Sequence, residues 1–411
     1  MRDTLCLMRV AYICEPQVGG TFVFFTQLRP LLARHGIDFR CIPPVDQAAY
    51  RTSRYWGQDG VDFLDLSDDP ATALGQIIQH LEKQDFRAVL TLPGCHLLGT
   101  CLPAYLPAPI GCAAKIPHNG RGTYLPTQEM APYIDWIAPV NHLLADDLIG
   151  AYKVPSAKVR VIYIGIDPDH FQYGERSTET GRTCQLITVG RLEDLQKNIF
   201  SLPAIVAEAL KQGVKVHATV VGHGPDADEL KARIHAQGLD DCFTLTGALP
   251  YDQIPALLRQ SDIFLMPTRF EGCPHALLEG MATGCAPVVS NLRGTLDRIV
   301  EDGKSGFLVP LGDHEAFGAA IAGLARDPTL RNRIGAEARR TVLEKFTVAD
   351  MAAAYADVLK KAAAAPSQTP APRSLRDYTA PQSAGTTWRS HIPMPVKKLV
   401  RTIYARMGKS I

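Results

Sequence analysis

The sequence of 411 residues contains no apolar run of about 18 residues, so nothing in it reads as a helix that crosses a bilayer. It has ten cysteines but no C-x-x-C pair, and most of them sit inside apolar, strand-like runs. That pattern favours buried, reduced thiols over a disulfide frame or a zinc site. The net charge is only +1, which argues against a general nucleic-acid binder. The start, Met1–Val10, lacks the apolar segment and small-residue cleavage site of a secretory leader. A cytoplasmic location is the expectation, and the residues before Met8 read as an extension ahead of the first strand, with Met8 an alternative start.

What is present is a globular composition, 46% hydrophobic and 21% charged, long enough for two ordinary domains. Apolar runs at Val10–Cys14, Ile37–Pro43, Asp85–Leu92, Pro109–Lys115 and Tyr133–Val140 alternate with helical or irregular stretches. Further runs follow at Cys184–Val189, from Val216, from Phe243, at Ile263–Pro267 and at Val288–Ser290. Strands alternating with helices imply parallel sheets covered on both faces, whose ligands gather at the carboxyl ends of the strands. The segment 171–183 is polar and reads as a linker between a first domain, 1–170, and a second, 184–346. Leu324–Val342 reads as helical, and Thr347 is a plausible cap for a helix over 347–363.

The most informative stretch is Thr268-Arg-Phe-Glu-Gly-Cys-Pro-His-Ala-Leu-Leu-Glu-Gly-Met-Ala-Thr-Gly284, between two apolar runs. Strand, glycine turn and helix fit it, with Pro274 in the first helical turn and Leu277, Leu278 and Met281 on an apolar face. Unpaired N–H groups at a helix start suit an anion, whereas Glu271 and Glu279 suit hydroxyl groups. A ligand carrying both is a nucleotide sugar. Gly190-Arg-Leu-Glu-Asp-Leu-Gln-Lys-Asn198 follows the strand Cys184–Val189, and Arg191 and Lys197 there could converge on a diphosphate. Glu193 and Asp194 intervene as competing partners. Gly19 and Gly20, after the first strand, allow a close backbone approach to a ligand or make a plain turn. His118 follows a strand, while His142 and His223 read as surface or turn residues.

Taken in order, the Gly190 loop, Gly222-His-Gly-Pro225, Thr246-Gly247 and the paired glutamates resemble the retaining nucleotide-sugar glycosyltransferases of family 4. The resemblance runs over about residues 8–363 and is strongest from 188 to 312. It implies the glycosyltransferase B (GT-B) fold, two doubly wound, Rossmann-like α/β domains facing across a cleft, with 347–363 returning to the first, and it likens Lys158–Asp167 to the closing strand and turn of the first domain. It further implies that Arg191 and Lys197 stabilise the departing diphosphate, that Glu271 holds hydroxyls of the donor sugar, and that His118 contacts that sugar near its reacting carbon. Donor contacts are implied for Gly19, Gly20, Gly190 and Gly222, for Gly247 and Leu249 at the base, and for Glu279 at the ribose. Gly272, Cys273, Pro274, His275, Ala276 and Leu277 would supply the helix-start part of that surface. No Asp-x-Asp cluster stands out on a strand-end loop, so metal-independent chemistry is expected. In place of a tightly bound cofactor, a UDP- or GDP-linked sugar is the expected donor.

The expected reaction is retaining hexosyl transfer to a glycan or lipid-linked acceptor in bacterial surface polysaccharide or glycolipid synthesis. A nucleotide-sugar epimerase of the same fold, or a non-catalytic sugar-nucleotide binder, are the rivals. Beyond 363 the chain departs from the family. Pro366, Pro370, Pro372 and Pro381 mark a flexible spacer, and 395–411 reads as a basic amphipathic helix suited to an anionic membrane surface or a protein partner.

Overall fold

The computed structural model describes residues 7–16, 20–53, 55–118, 121–364 and 370–384. Gly19, a predicted donor contact, and the predicted helix at 395–411 lie outside the described residues. The chain forms two units, Met1–Tyr163 with Val348–Ile411, and Ile164–Thr347.

The first unit holds a parallel sheet of β1 (Met8–Ile13), β2 (Ile37–Ile42), β3 (Phe86–Thr91), β4 (Gly111–Ile116) and β5 (Trp136–Pro139), in the order β2-β1-β3-β4-β5. Its strands are apolar runs because both faces are covered: all six residues of β4 are buried. Helix Gly20–Arg34 buries Phe25, Leu28 and Leu32 and leaves Leu31 half-buried. Asn141 caps helix His142–Gly150 through the Leu144 N–H at 2.8 Å. Helix Val348–Ala364 also belongs to this unit. Tyr355 on it meets Phe24 edge-on at 5.1 Å, and a Cβ at Gly111 would fall 2.1 Å from the Ala362 carbonyl oxygen, so only glycine fits there.

The second unit holds β6 (Cys184–Val189), β7 (Val216–Val221), β8 (Phe243–Gly247), β9 (Ile263–Met266), β10 (Ala286–Ser290) and β11 (Phe307–Val309), all parallel, in the order β11-β10-β9-β6-β7-β8. The chain adds strands outward on one side of β6 and then returns to its other side at β9. The topological switch point therefore lies between β6 and β9, where doubly wound sheets bind ligands at their carboxyl ends. Leu186, Ile205, Val206, Ile263, Val288 and Leu324 anchor the core behind it.

Four expectations need correction or refinement. Residues 158–167, expected as a closing strand, are irregular, with bridges only at Val159 and Ile166. The helical stretch expected over Leu324–Val342 is helical but broken at Asp327, between His314–Arg326 and Pro328–Lys345, because Asp327 accepts the Leu330 N–H and Pro328 cannot continue the preceding helix. The segment 171–183 is no linker but part of the second unit. Phe171 is buried, and the buried Arg176 guanidinium donates to the carbonyls of Gly174, Leu258, Arg259 and Thr283 at 2.5–3.0 Å. Leu258 and Arg259 lie in the last turn of helix Ile254–Gln260, and Thr283 follows helix His275–Ala282, so a cation there also meets the negative helix ends. Finally, 370–384 of the expected spacer is docked on the first unit. Arg373 donates to the Tyr133 hydroxyl at 3.0 Å, Tyr378 packs on Tyr105, and Glu129 accepts from the N–H groups of Gln382 and Ser383 at 3.1 Å each.

Candidate active site

The loops that leave β6 and β9 are bonded to each other at the switch point. Arg269 N–H donates to the Gln196 carbonyl at 2.8 Å, the Thr268 hydroxyl lies 2.9 Å from the same oxygen, and the Arg269 guanidinium meets Asp194 Oδ2 at 3.1 Å. Asn198 ends the short helix Asp194–Lys197 in the left-handed conformation, with φ +52°, a role asparagine tolerates better than most residues. Lys197 is thereby set with its Nζ 2.6 Å from Glu271 Oε1. The Thr268 hydroxyl is 3.0 Å from that oxygen as well.

Glu271 is 4% exposed. Burial raises its carboxyl above the ordinary value, while the Lys197 ammonium and the Thr268 hydroxyl work against that shift. Arg191 differs: its side chain is 65% exposed and reaches Glu193 Oε2 at 3.3 Å. The competition foreseen in the sequence is thus real for Arg191, whereas Asp194 is taken up by Arg269. Arg191 and Lys197 line one recess together with Thr188, Met266 and Pro267, at the carboxyl ends of β6 and β9. A more open recess of about 510 Å³ lies at the other end of the sheet, near Thr183, Lys215 and Asp241, away from every motif residue.

The predicted glycines form the rim beside this recess. Gly190 N–H donates to the Val221 carbonyl at 3.0 Å, and Gly222 N–H to the Gly247 carbonyl at 2.9 Å, joining the ends of β6, β7 and β8. A Cβ at Gly222, whose φ is +146°, would fall 1.8 Å from the Gly190 carbonyl oxygen. Leu249 follows on the turn after β8. Gly272 and Cys273 continue the loop after Glu271; Pro274 stands at the cap of helix His275–Ala282 rather than in its first turn, and His275, Ala276 and Leu277 open the helix. Glu279, on that helix, is 6% exposed, accepts the Tyr251 hydroxyl at 3.2 Å, and is pushed up by burial to about 7.

In the first unit, Gly20 opens helix Gly20–Arg34, and His118, exposed two residues past β4, has Nδ1 3.0 Å from the Thr123 hydroxyl. His142 is 2.8 Å from the Tyr163 hydroxyl, and exposed His223 gives its carbonyl to the Leu192 N–H at 3.1 Å. Sequence reading passed over Thr268, Arg269, Gln196 and Tyr251 as parts of the site. It also passed over Asp226-Ala-Asp228, an Asp-x-Asp sequence shortly after β7. Buried Asp226 accepts the Asp194 N–H at 2.7 Å and so braces the Arg191–Lys197 loop.

Residues 174–341 match the family described as glycosyl transferases group 1. That segment is a group 1 glycosyltransferase domain. Curated relatives include the putative colanic acid biosynthesis glycosyltransferase WcaL of Salmonella typhimurium, 31% identical over 220 residues, 52% of this chain and 53% of that protein. The amylovoran biosynthesis glycosyltransferase AmsK of Erwinia amylovora is 32% identical over 46% of this chain and 47% of its own length. The chain thus spans about half the length of the curated relatives it matches. Among solved structures, Anabaena HepE in complex with UDP superposes with a TM-score of 0.69 over 86% of this chain and 100% of that one, at 15% identity. A glycosyltransferase from Rickettsia africae gives 0.68 over 87% and 98%, also at 15%. The chain shares with them the GT-B fold of two parallel-sheet α/β units.

Proposed function

We propose that the chain is a retaining hexosyltransferase of family 4, using a nucleoside-diphosphate sugar without a metal ion and a glycan or lipid-linked hydroxyl as acceptor. The observation that carries this reading is the Lys197–Glu271 pair, held at 2.6 Å at the switch point of the second sheet with Glu279 one helix turn beyond the loop. The bond from the anomeric carbon to the β-phosphate oxygen breaks, its electron pair leaves with the diphosphate, and the acceptor oxygen bonds to that carbon. The acceptor's proton passes to the departing phosphate oxygen on the same face.

Negative charge grows on the phosphate, where Lys197 and Arg191 supply cationic donors and the amides near His275 supply neutral ones. Groups of this kind, aimed at developing charge, are worth roughly 3–4 kcal/mol each. Glu271 accepts donor-sugar hydroxyls while its buried charge stays balanced by Lys197, and Glu279 accepts those of the ribose. His118 is assigned by the resemblance to the donor sugar. The colanic acid and amylovoran relatives support polysaccharide synthesis as the setting, and we assign the product to the bacterial surface polysaccharides, made at the inner face of the cytoplasmic membrane. HepE, solved with UDP, supports a nucleotide-linked donor; UDP and GDP are both retained.

The test is a panel of UDP- and GDP-sugars, each incubated with and without glycan acceptors, reading nucleotide release and the anomeric configuration of the product. Acceptor-dependent release with retention is expected for one donor. A new free sugar nucleotide formed without acceptor, or no turnover with any pair while nucleotide binds, would overturn the reading.

A further inference from the structure

Glu279 is an expensive residue to bury. The residue is 6% exposed, and the partner of its carboxylate among the described residues is a phenol, not a cation: the Tyr251 hydroxyl donates to Oε1 at 3.2 Å. A buried carboxylate whose charge is unmatched is retained against a large desolvation cost, so a ligand that completes its hydrogen bonds is a physical reason for keeping it. One hydrogen bond from a neutral donor leaves most of its acceptor capacity open, since a carboxylate offers about four lone-pair sites.

Tyr251 is itself held from several sides. It follows the turn Gly247–Pro250 after β8, so its chain direction is set by the sheet. Its ring lies parallel to the His170 imidazole at 5.2 Å, with 16° between the planes, and edge-on to buried Phe171 at 5.8 Å. The His170 Nε2 atom is buried with no hydrogen-bond partner among the described residues, so the imidazole serves the tyrosine as a flat wall. Yet Tyr251 as a residue is 50% exposed. A half-exposed aromatic ring fixed by its neighbours, with its hydroxyl on a buried carboxylate, is a preorganised contact rather than a core side chain. The charged and titratable groups facing this pair are Asp167 and His170, from the segment that begins the unit, and Glu279 itself, from its helix. All of them belong to the second unit.

We propose that Tyr251 is a positioning residue for the donor nucleoside: its hydroxyl fixes Glu279 with one oxygen engaged and the other free to take the ribose hydroxyls. A lysine in its place would neutralise the carboxylate and compete with those hydroxyls. The neutral phenol orients it while leaving its charge for the ligand. This inference rests on the donor-site reading above and adds a residue to it.

The test is calorimetric binding of UDP and GDP to the full chain, then of the 2′-deoxy and 3′-deoxy forms of whichever binds, for wild type and Tyr251→Phe. Loss of one charge-assisted hydrogen bond predicts that the phenylalanine variant binds the nucleotide about tenfold more weakly. It also predicts that removing a ribose hydroxyl costs about tenfold in wild type and clearly less in the variant, because Glu279 is no longer oriented for it. In turnover, the donor KM should rise while kcat changes less than about twofold. Because an ionised Glu279 accepts hydroxyls better than a neutral one, wild-type affinity should strengthen as pH rises through about 7. The Tyr251 hydrogen bond lowers that midpoint, so the variant's should sit higher. An unchanged affinity, deoxy penalty and pH midpoint in Tyr251→Phe would overturn the inference while leaving the donor site intact. A wild type that binds neither UDP nor GDP would overturn the donor-site reading, and this inference with it.

Discussion

Removing Lys197 should do more damage than removing the carboxylate it touches. Lys197→Met leaves Glu271, with a side chain 3% exposed, beside Thr268 alone, whereas Glu271→Gln leaves an ammonium whose side chain is 20% exposed and can turn to water. Breaking a buried pair by deleting one partner costs roughly 3–5 kcal/mol, and the partial exposure of Lys197 brings the expectation for Lys197→Met to about 2–3 kcal/mol at pH 8. For Glu271→Gln it is about 1 kcal/mol or less. The pH dependence has a definite sign. Glu271 already binds its proton more tightly folded than unfolded, because burial outweighs Lys197, so its contribution to stability falls as pH rises from the ordinary carboxylate range through its raised folded value. Without Lys197 that rise is larger, so the loss in Lys197→Met should be smaller at pH 5.5 than at pH 8.0. The assay is urea unfolding at pH 5.5 and 8.0. Circular dichroism is the better probe, because no tryptophan lies between Ile164 and Thr347. Equal losses in the two variants, or a Lys197→Met loss independent of pH, would refute the assignment of the pair as a buried charge held by one ammonium.

Arg191→Ala should lower kcat/KM by about 100-fold or more, yet change stability by less than about 0.5 kcal/mol in a urea titration, since its exposed side chain meets only Glu193 among the described ion pairs. Arg176→Met should cost about 3 kcal/mol or more in the same titration, because the carbonyls it satisfies remain buried. His118→Ala should reduce kcat in the glycosyl-transfer assay while calorimetric affinity for the free nucleotide stays within about twofold, if the histidine meets the sugar and not the nucleotide.

The strands and the site loops were legible for one reason: a parallel strand buried on both faces must be an uninterrupted apolar run, and the chemistry sits just past its end. Cys184–Val189 followed by Arg191 and Lys197, and Ile263–Met266 followed by Glu271, could be read that way. What escaped reading is held by polar atoms. The segment around Arg176 has almost no apolar residues, and its order comes from one guanidinium meeting the carbonyl ends of helices that lie 82 to 107 residues away in sequence. Tyr251 carried no signal beyond its place after a glycine turn, because its partner Glu279 is 28 positions away. Asp226 looked like part of a loop and is a brace for another loop.

The docked stretch 370–384 changes what a shortened protein would mean. Cutting the chain at Ala364 strips away not only whatever follows residue 384 but also the cover over Cys101, Tyr105 and the Glu129 carboxylate. A shortened protein of that kind would present new apolar and acidic surface on the first unit, so altered behaviour toward vesicles could reflect the wound rather than the missing basic segment. Ending the chain after Ala384 separates the two, because the bonds from Gln382 and Ser383 to Glu129 then stay in place.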